Sequence, residues 1–376
     1  MKAFGLISGV GSLLYGAKKA GFEIVGNCDW RKYYHTGSFE HNFKRPFTED
    51  IYDYDISKIK GLTMVMGHPE CGNFSTLRAK KMDLGNALDI PKFIKEANLL
   101  QPQFILMDNL PKSLLVYKIS DYERDLKDYD VSFEWVSNWG YGNVQKYRNR
   151  MFLIASHKDL HYKFIPGEQP HEKVTKDAIE NCEGLPNHHP VSLKDKSNWP
   201  VNYFRGWEKN KKNYLLDWGE WNKLAEDVPV KQNFTYYNMK NELKVKPGYF
   251  KIDINSFCPV ISGGGGFPDN HFFFDPKRKY WRPFSIRERL RIMGFDDDFV
   301  LLPKKPENLS QDYKNHIKQT GKCMPVQFAY YFSNQVKRFL TGKSLPETGT
   351  RVIKPNAHIN DAINNHQQVK LFIDGN

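Results

Sequence analysis

Residues 2–30 read KAFGLISGVGSLLYGAKKAGFEIVGNCDW, a short apolar run, a glycine-rich turn, an amphipathic stretch and a second apolar run. Strand, turn, helix and strand in that order open an α/β domain with a largely parallel sheet. The pattern continues downstream. AFGLIS, EIVGNCD, TMVMGHP, FILMDNL and MFLIAS are the predicted strands, and Ser12–Ala20 and Leu88–Leu99 are predicted helices, the second with Pro91 near its start. Gly9, Gly11 and Gly16 fall between the first strand and its helix, where a tight turn lets a ligand approach the backbone and the helix N-terminus. An ordinary strand-to-helix turn explains these glycines equally well, so the weight falls on the residues beyond them. Asp29, at the end of the second strand, is a carboxylate suited to both hydroxyls of a ribose. Trp30 beside it offers a face for an adenine ring, and Asp50 in TEDI an acceptor for the exocyclic amine of that ring. Three successive strand ends thus outline an adenosine site.

Outward from this segment, the chain has 376 residues, with 55 Lys+Arg against 43 Asp+Glu, a net charge of +12 and 40% hydrophobic residues. That length buries a core without stapling. Cys28, Cys71, Cys182, Cys258 and Cys323 lie far apart with no C-x-x-C pair, which argues against a zinc ribbon, a redox dithiol or a secreted disulfide framework. No metal is expected, and a reducing cytoplasm fits this cysteine usage. The N-terminus lacks the long apolar core of a signal peptide, and no stretch reaches the roughly 18 apolar residues of a membrane helix. The positive charge favours a polyanionic partner. The predicted organisation is a catalytic and cofactor-binding domain over 1–156, then a smaller irregular domain over 157–270, rich in lysine and aromatics and without a clear period. A segment over 271–345 regains helical periodicity in SIRERLRIMGF and VQFAYYFSNQVKRFLTG and is expected to return to the first domain, ahead of a polar tail over 346–376.

MVMGHPECGNFSTL places Cys71 in a loop directly after an apolar strand, with Gly67, Pro69, Gly72 and Ser75 around it. A lone cysteine is more often a small buried hydrophobe. This one sits at the carboxyl edge of a parallel sheet, where such folds bind ligands, and that makes it a nucleophile candidate. FILMDNL adds Asp108 at another strand end, and YGNVQKYRNRMFLIAS adds Gln145, Arg148 and Arg150 before a further strand. A carboxylate and two guanidiniums around one cysteine suit an anionic, nitrogenous substrate.

Taken together these stretches resemble the DNA (cytosine-5)-methyltransferase family from about Phe4 to Arg338, the central region excepted. LISGVGS, NCDW and TEDI resemble its first three motifs, GHPECGNFS its Pro-Cys motif, MDNL its Glu-Asn-Val motif and QKYRNRMFLIA its Gln-x-Arg-x-Arg motif. RPFSIRERLRIMGFDDDF is similar to the late Arg-x-x-Thr-x-Arg-Glu signature, and QTGKCMPVQFA to the closing Gly-Asn-x-x-Pro motif. The resemblance implies a Rossmann-like, S-adenosylmethionine-dependent fold with a mostly parallel sheet and a smaller target-recognition domain. It implies alkylation of carbon 5 of a flipped-out cytosine in double-stranded DNA, while the composition suits a soluble protein away from any membrane and a monomer is the default expectation. Cys71 is then the nucleophile toward carbon 6, Asp108 the partner of the ring nitrogen and exocyclic amine, Arg148 the partner of the base carbonyl, and Arg150 a support behind them. The same resemblance assigns Ile7, Ser8, Gly9, Val10, Gly11, Ser12, Asp29, Trp30, Asp50, Ile51, Pro69, Leu88, Lys322 and Cys323 to the cofactor.

The sequence also departs from the family pattern close to the chemistry. Glu70 stands for the proline before the nucleophile, Gly72 for the glutamine after it, and Asp108 for a glutamate. Gln145 lies one residue further from Arg148 than usual, Ile7 and Ser12 replace a phenylalanine and a glycine, and Lys322 stands for the closing asparagine. A lysine near a sulfonium is repelled. One expectation is therefore a donor with a negative group, carboxy-S-adenosylmethionine, paired with Lys322 and yielding 5-carboxymethylcytosine. The plainer expectation is methyl transfer, with Lys322 turned elsewhere. A DNA-binding relative without turnover is the alternative from another class.

Overall fold

In a computed structural model the described residues are 1–29, 36–48, 59–74, 89–146, 148–167, 172–188, 190, 231–237, 243–258, 260–261, 271–278, 280–282, 284–302 and 319–345. Ser75, Trp30, Asp50, Ile51 and Leu88, most of the lysine-rich stretch within 157–270 and the tail from 346 lie outside them. The chain forms two compact units, Met1–Asn143 with Tyr147–His171 and Cys323–Asn376, and Val144–Lys146 with Glu172–Lys322, each taken over its described residues.

The first unit is built on strands β1 (Lys2–Leu6), β2 (Glu23–Cys28), β3 (Phe47–Thr48), β4 (Met64–Gly67), β5 (Phe104–Asn109), β6 (Tyr129–Ser137) and β7 (Asn149–His157). They form one sheet in the order β3-β2-β1-β4-β5-β7-β6, with β7 antiparallel to both β5 and β6 and the remaining pairs parallel. All four residues of β4 and all six of β5 are buried, as expected of parallel strands covered on both faces. Helices α1 (Ser12–Lys19), α2 (Thr36–Phe43), α3 (Asp89–Leu100) and α4 (Ile119–Asp125) accompany them. Phe93, Ile94 and Ala97 of α3 pack with Val65, Ile105 and Met107 of the central strands in one apolar cluster. The last helix of this unit, which we number α7 (Val326–Leu340), crosses α1 so closely that a Cβ on Gly16 would lie 2.7 Å from both the Ala329 Cβ and the Tyr330 nitrogen. The VQFAYYF periodicity therefore buries its apolar stripe, including Val326, Phe328, Ala329 and Phe332, in the first unit.

In the second unit the short helix α5 (Thr175–Ile179) precedes a four-stranded sheet of β8 (Lys231–Tyr237), β9 (Leu243–Lys251), β10 (His271–Asp275) and β11 (Tyr280–Arg282), in the order β11-β10-β9-β8. Helix α6 (Ile286–Ile292) follows and opens with a capping box in which the Ser285 Oγ accepts from the Glu288 nitrogen. The arginines of the late signature RPFSIRERL bind acceptors both within the segment and around it. Arg282 grips both oxygens of Glu288 at 2.7 and 2.6 Å and donates from Nε to Asp275 at 2.6 Å. The fully buried Arg287 donates to the carbonyls of Pro186, Asp296 and Phe299. Planar guanidinium groups spread over several fixed acceptors tie loops that have little apolar surface of their own. Among the described residues no helix is long and apolar enough to cross a membrane.

Candidate active site

The turn after β1 is held from both sides. Ile7 donates to the Cys28 carbonyl at 2.7 Å and accepts from the His68 nitrogen at 3.0 Å, which fixes the ends of β2 and β4 against β1. This double attachment sustains a φ of 51° at Ile7, an expensive value for a β-branched residue. Gly9 and Gly11 follow at φ 58° and 84°, values that glycine reaches at little cost. Asp29 accepts from the Gly9 nitrogen at 2.9 Å, and Asn27 donates to the Gly9 carbonyl at 3.0 Å. Val10 is part of the core beneath the turn, and Ser12 Oγ at the start of α1 accepts from the Met324 nitrogen at 3.1 Å. The first and closing motifs, far apart in the chain, therefore meet. Ser8 Oγ is buried and has no hydrogen-bond partner among the described residues. A bent backbone, a buried hydroxyl and the strand-end carboxylate Asp29 form a donor and acceptor set that fits a nucleoside cofactor.

Beside this turn, β4 ends at Gly67, which pairs with Met107 of β5, so the loop His68–Cys71 emerges next to Asp108. A Cβ on Gly67 would collide with the Leu6 carbonyl and the Phe93 ring. Asn109 donates to the Pro69 carbonyl at 3.4 Å, and Glu70 accepts from the Gly72 nitrogen at 2.8 Å. Because β7 runs antiparallel to β5, with Asp108 opposite Phe152, its first residues reach the edge where β4 and β5 finish. This reversal brings Arg150 to the loop. Its Nε and Nη2 donate to the two oxygens of Asp108 at 2.9 and 2.7 Å, and its charge acts on Cys71. Arg148 donates from Nη2 to the Cys323 carbonyl at 2.5 Å, while its own carbonyl accepts from Asn138 at 3.0 Å.

The contact absent from the sequence reading is His68. Its Nδ1 lies 2.5 Å from Asp108 Oδ2, and its Nε2 lies 3.7 Å from Cys71 Sγ. Burial raises the thiol pKa of Cys71, but the charges of Arg150 and His68 overcome it and bring the group down to about 6. Burial lowers the pKa of His68, and Cys71 and Asp108 more than reverse that, raising it to about 9. Asp108 is itself held below the ordinary carboxylate range, because Arg150 and His68 outweigh its complete burial. Arg148 is brought down to about 10 by burial and by the neighbouring Arg150. A histidine three residues before the cysteine was the available signal, visible in GHPEC but without a partner until the β4–β5 register was known.

Two residues from the sequence reading belong to the second unit. Gln145 belongs to the second unit, where its Oε1 accepts from the Ile261 nitrogen at 2.9 Å and its Nε2 donates to Met293 Sδ at 3.2 Å. Lys322 is exposed and ends the second unit. In that unit Cys182, His188 and Glu288 also approach one another, but both Glu288 oxygens are engaged by Arg282.

Comparison with known proteins bears on this geometry. The family described as C-5 cytosine-specific DNA methylase matches residues 1–338. The Type II methyltransferase M.FnuDI of Fusobacterium nucleatum is 26% identical over 361 residues, 91% of this chain and 96% of its own length. M.MthTI of Methanothermobacter thermautotrophicus is 26% identical over 353 residues, covering 89% of this chain and 96% of its own. Among solved structures, a DNMT2 variant of Spodoptera frugiperda superposes with a TM-score of 0.58 at 15% identity, over 90% of this chain and 99% of that one. The Entamoeba histolytica methyltransferase EhMeth does so at 0.57 and 12% identity, over 91% of this chain and 98% of its own. These two structural likenesses speak for the fold.

Proposed function

The chain belongs to the C-5 cytosine-specific DNA methylase family, and from that premise we propose that it transfers a methyl group to carbon 5 of a flipped-out cytosine through a covalent adduct on Cys71. The observation that carries this reading is the buried cluster at the β4 and β5 ends, in which Cys71 faces the Arg150–Asp108 ion pair with Arg148 nearby. Carbon 5 of cytosine is a weak nucleophile. A thiolate that forms a bond from Sγ to carbon 6 displaces the carbon 5–carbon 6 electron pair into the ring, and it comes to rest on the ring nitrogen, which takes a proton from water and gives it back when the ring is restored. Asp108 is the proposed acceptor for that N–H and the exocyclic amine, and Arg148 the proposed donor to the base carbonyl. S-adenosylmethionine supplies the methyl group. Ile7, Ser8, Gly9, Val10, Gly11, Ser12 and Asp29 would hold it, with Pro69 and Cys323 beside them and Trp30, Asp50, Ile51 and Leu88 from outside the described residues. Loss of the carbon 5 proton to water then expels the thiolate and restores the aromatic ring. None of this is possible for a stacked base, so the target nucleotide has to leave the duplex. The basic stretch over 157–270 is the proposed clamp, phosphate contacts giving affinity and groove contacts specificity.

The test is a nucleoside mass spectrum of DNA from cells that lack cytosine-5 methylation and express either the protein or Cys71→Ser. The expected result is deoxycytidine heavier by one methyl group, absent with Cys71→Ser. A carboxymethyl gain would instead assign Lys322 to a carboxylated donor, and Lys322→Asn would then favour the ordinary one. Unmodified cytosine from folded, DNA-binding protein refutes the proposal. Covalent capture on DNA carrying 5-fluorocytosine, lost with Cys71→Ser, tests the adduct directly.

A further inference from the structure

The reading of Cys71 as nucleophile leaves open which group removes its proton. Among the described residues, the charged groups that act on the thiol come from three neighbouring segments: His68 from its own loop, Asp108 from the end of β5, and Arg148 and Arg150 from the start of β7. The two guanidiniums carry no lone pair to accept a proton. Asp108 has one oxygen on Arg150 Nε, and the other between Arg150 Nη2 and His68 Nδ1. Among these groups His68 combines a titratable nitrogen facing Sγ, at 3.7 Å, with a second nitrogen 2.5 Å from a carboxylate fixed by Arg150. Its side chain is 16% exposed, against 0% for Asp108.

We infer that His68 is a catalytic residue, the base that takes the Cys71 proton, with Asp108 as the positioning residue that orients the ring and stabilises it when charged. The inference rests on the reading of Cys71 as nucleophile. The step balances within the pair: the S–H bond breaks, its electrons stay on Sγ as the lone pair that attacks, and the proton forms a bond to Nε2. Asp108 keeps its charge and stabilises the imidazolium as an ion-pair partner, 2.5 Å from Nδ1. This is the nucleophile, base and orienting-acid arrangement that activates a thiol elsewhere in enzyme chemistry. The pair rests as thiolate and imidazolium between the two titrations, about pH 6 for the thiol and about 9 for the imidazole. Below that window the thiol keeps its proton, and above it the imidazole loses its own.

The experiment reads both partners in the full-length protein, without DNA or cofactor. Alkylation of Cys71 by iodoacetamide, followed on its own peptide by mass spectrometry from pH 5 to 9.5, should have its midpoint near 6 in the parent protein. His68→Gln should raise that midpoint by at least one pH unit, a tenfold loss of rate at low pH. In parallel, histidine NMR should show His68 titrating near 9, and at least one unit lower in Cys71→Ser, where its anionic partner is missing. An unchanged midpoint in His68→Gln overturns the inference by leaving Arg150 to hold the thiolate. If that variant does not fold, an unchanged His68 titration in Cys71→Ser overturns it equally. Neither readout depends on methyl transfer. A coupled pair in a protein that modifies no cytosine would therefore sink the proposed function and leave the pair standing, and the reverse outcome would separate them as cleanly.

Discussion

Replacing Arg150 by methionine removes the cation from a carboxylate that is 0% exposed and held by two charge-assisted hydrogen bonds of 2.9 and 2.7 Å. Breaking a buried ion pair from one side costs about 3–5 kcal/mol, because the remaining charge stays buried. His68 remains 2.5 Å from the same carboxylate, so we place the loss at the lower end, about 3 kcal/mol. Against a total of about 5–15 kcal/mol this is a large fraction. The pH dependence has a definite sign. In the parent protein the carboxyl pKa is depressed, so its contribution is complete above about 4 and is lost only as pH falls through the lower folded value. In Arg150→Met burial is less opposed and the carboxyl takes up its proton more readily, so the stability gap should narrow between pH 7.5 and 5. Urea unfolding of both proteins at the two pH values measures this. The double variant Arg150→Met with Asp108→Asn should recover part of the loss, since no charge is then stranded. A loss below about 1 kcal/mol at pH 7.5, or a gap that widens in acid, would refute the assignment of this pair as a buried, mutually neutralising one.

Three further outcomes follow from the packing. Gly16→Ala gains about 1 kcal/mol of helix propensity, but its methyl would meet the α7 backbone at 2.7 Å, and overpacking of about 1–3 kcal/mol should win, giving a lower melting temperature. Glu288→Ala strips Arg282 of a two-pronged acceptor and the Ser285 nitrogen of its cap, so unfolding of the second unit, followed by hydrogen exchange, should lose about 3–5 kcal/mol. Asp29→Asn replaces the charged acceptor at the Gly9 nitrogen, and calorimetry should show S-adenosylmethionine binding weakened by about tenfold or more; unchanged affinity would reassign Asp29 to the turn alone.

All five apolar runs of the sequence became strands of one sheet because each is a buried segment whose residue types admit little else, and the glycines mark the turn between the first of them and its helix. Strand β6 carries no clear pattern in the sequence. YDVSFEWVS alternates exposure only loosely, with Asp130 and Ser132 facing outward and Trp135 half-buried, and it owes its place to a nine-residue antiparallel pairing with β7. Strands β8 and β9 lie in the lysine-rich stretch whose period is weak, and β10 and β11 just after it, so pairing partners supply what local pattern does not. The role of RPFSIRERL is legible only in three dimensions as well. Its capping box can be read from Ser285 and Glu288, but the Arg282 clamp needs Asp275 from the preceding strand.

The active-site residues were readable as types but not as a circuit. Cys71, Asp108, Arg148 and Arg150 stand at strand ends in the sequence, and the β4–β5 register with the reversal at β7 converts those ends into contacts. Exchange of a glutamate for Asp108 looks conservative in a motif. In the fold the shorter acid has both oxygens drawn to Arg150 and one also to His68, so its charge is spent inside the protein as well as toward any base. A carboxylate tied back in this way loses reach and gains a second task, holding an imidazolium against the nucleophile. Restoring length should expose that trade: Asp108→Glu would press against His68 and displace it from Cys71. The Cys71 alkylation midpoint should then rise by about a unit even though the charge at position 108 is unchanged. A midpoint that stays near 6 would mean that charge alone, and not the placement of His68, governs the thiol.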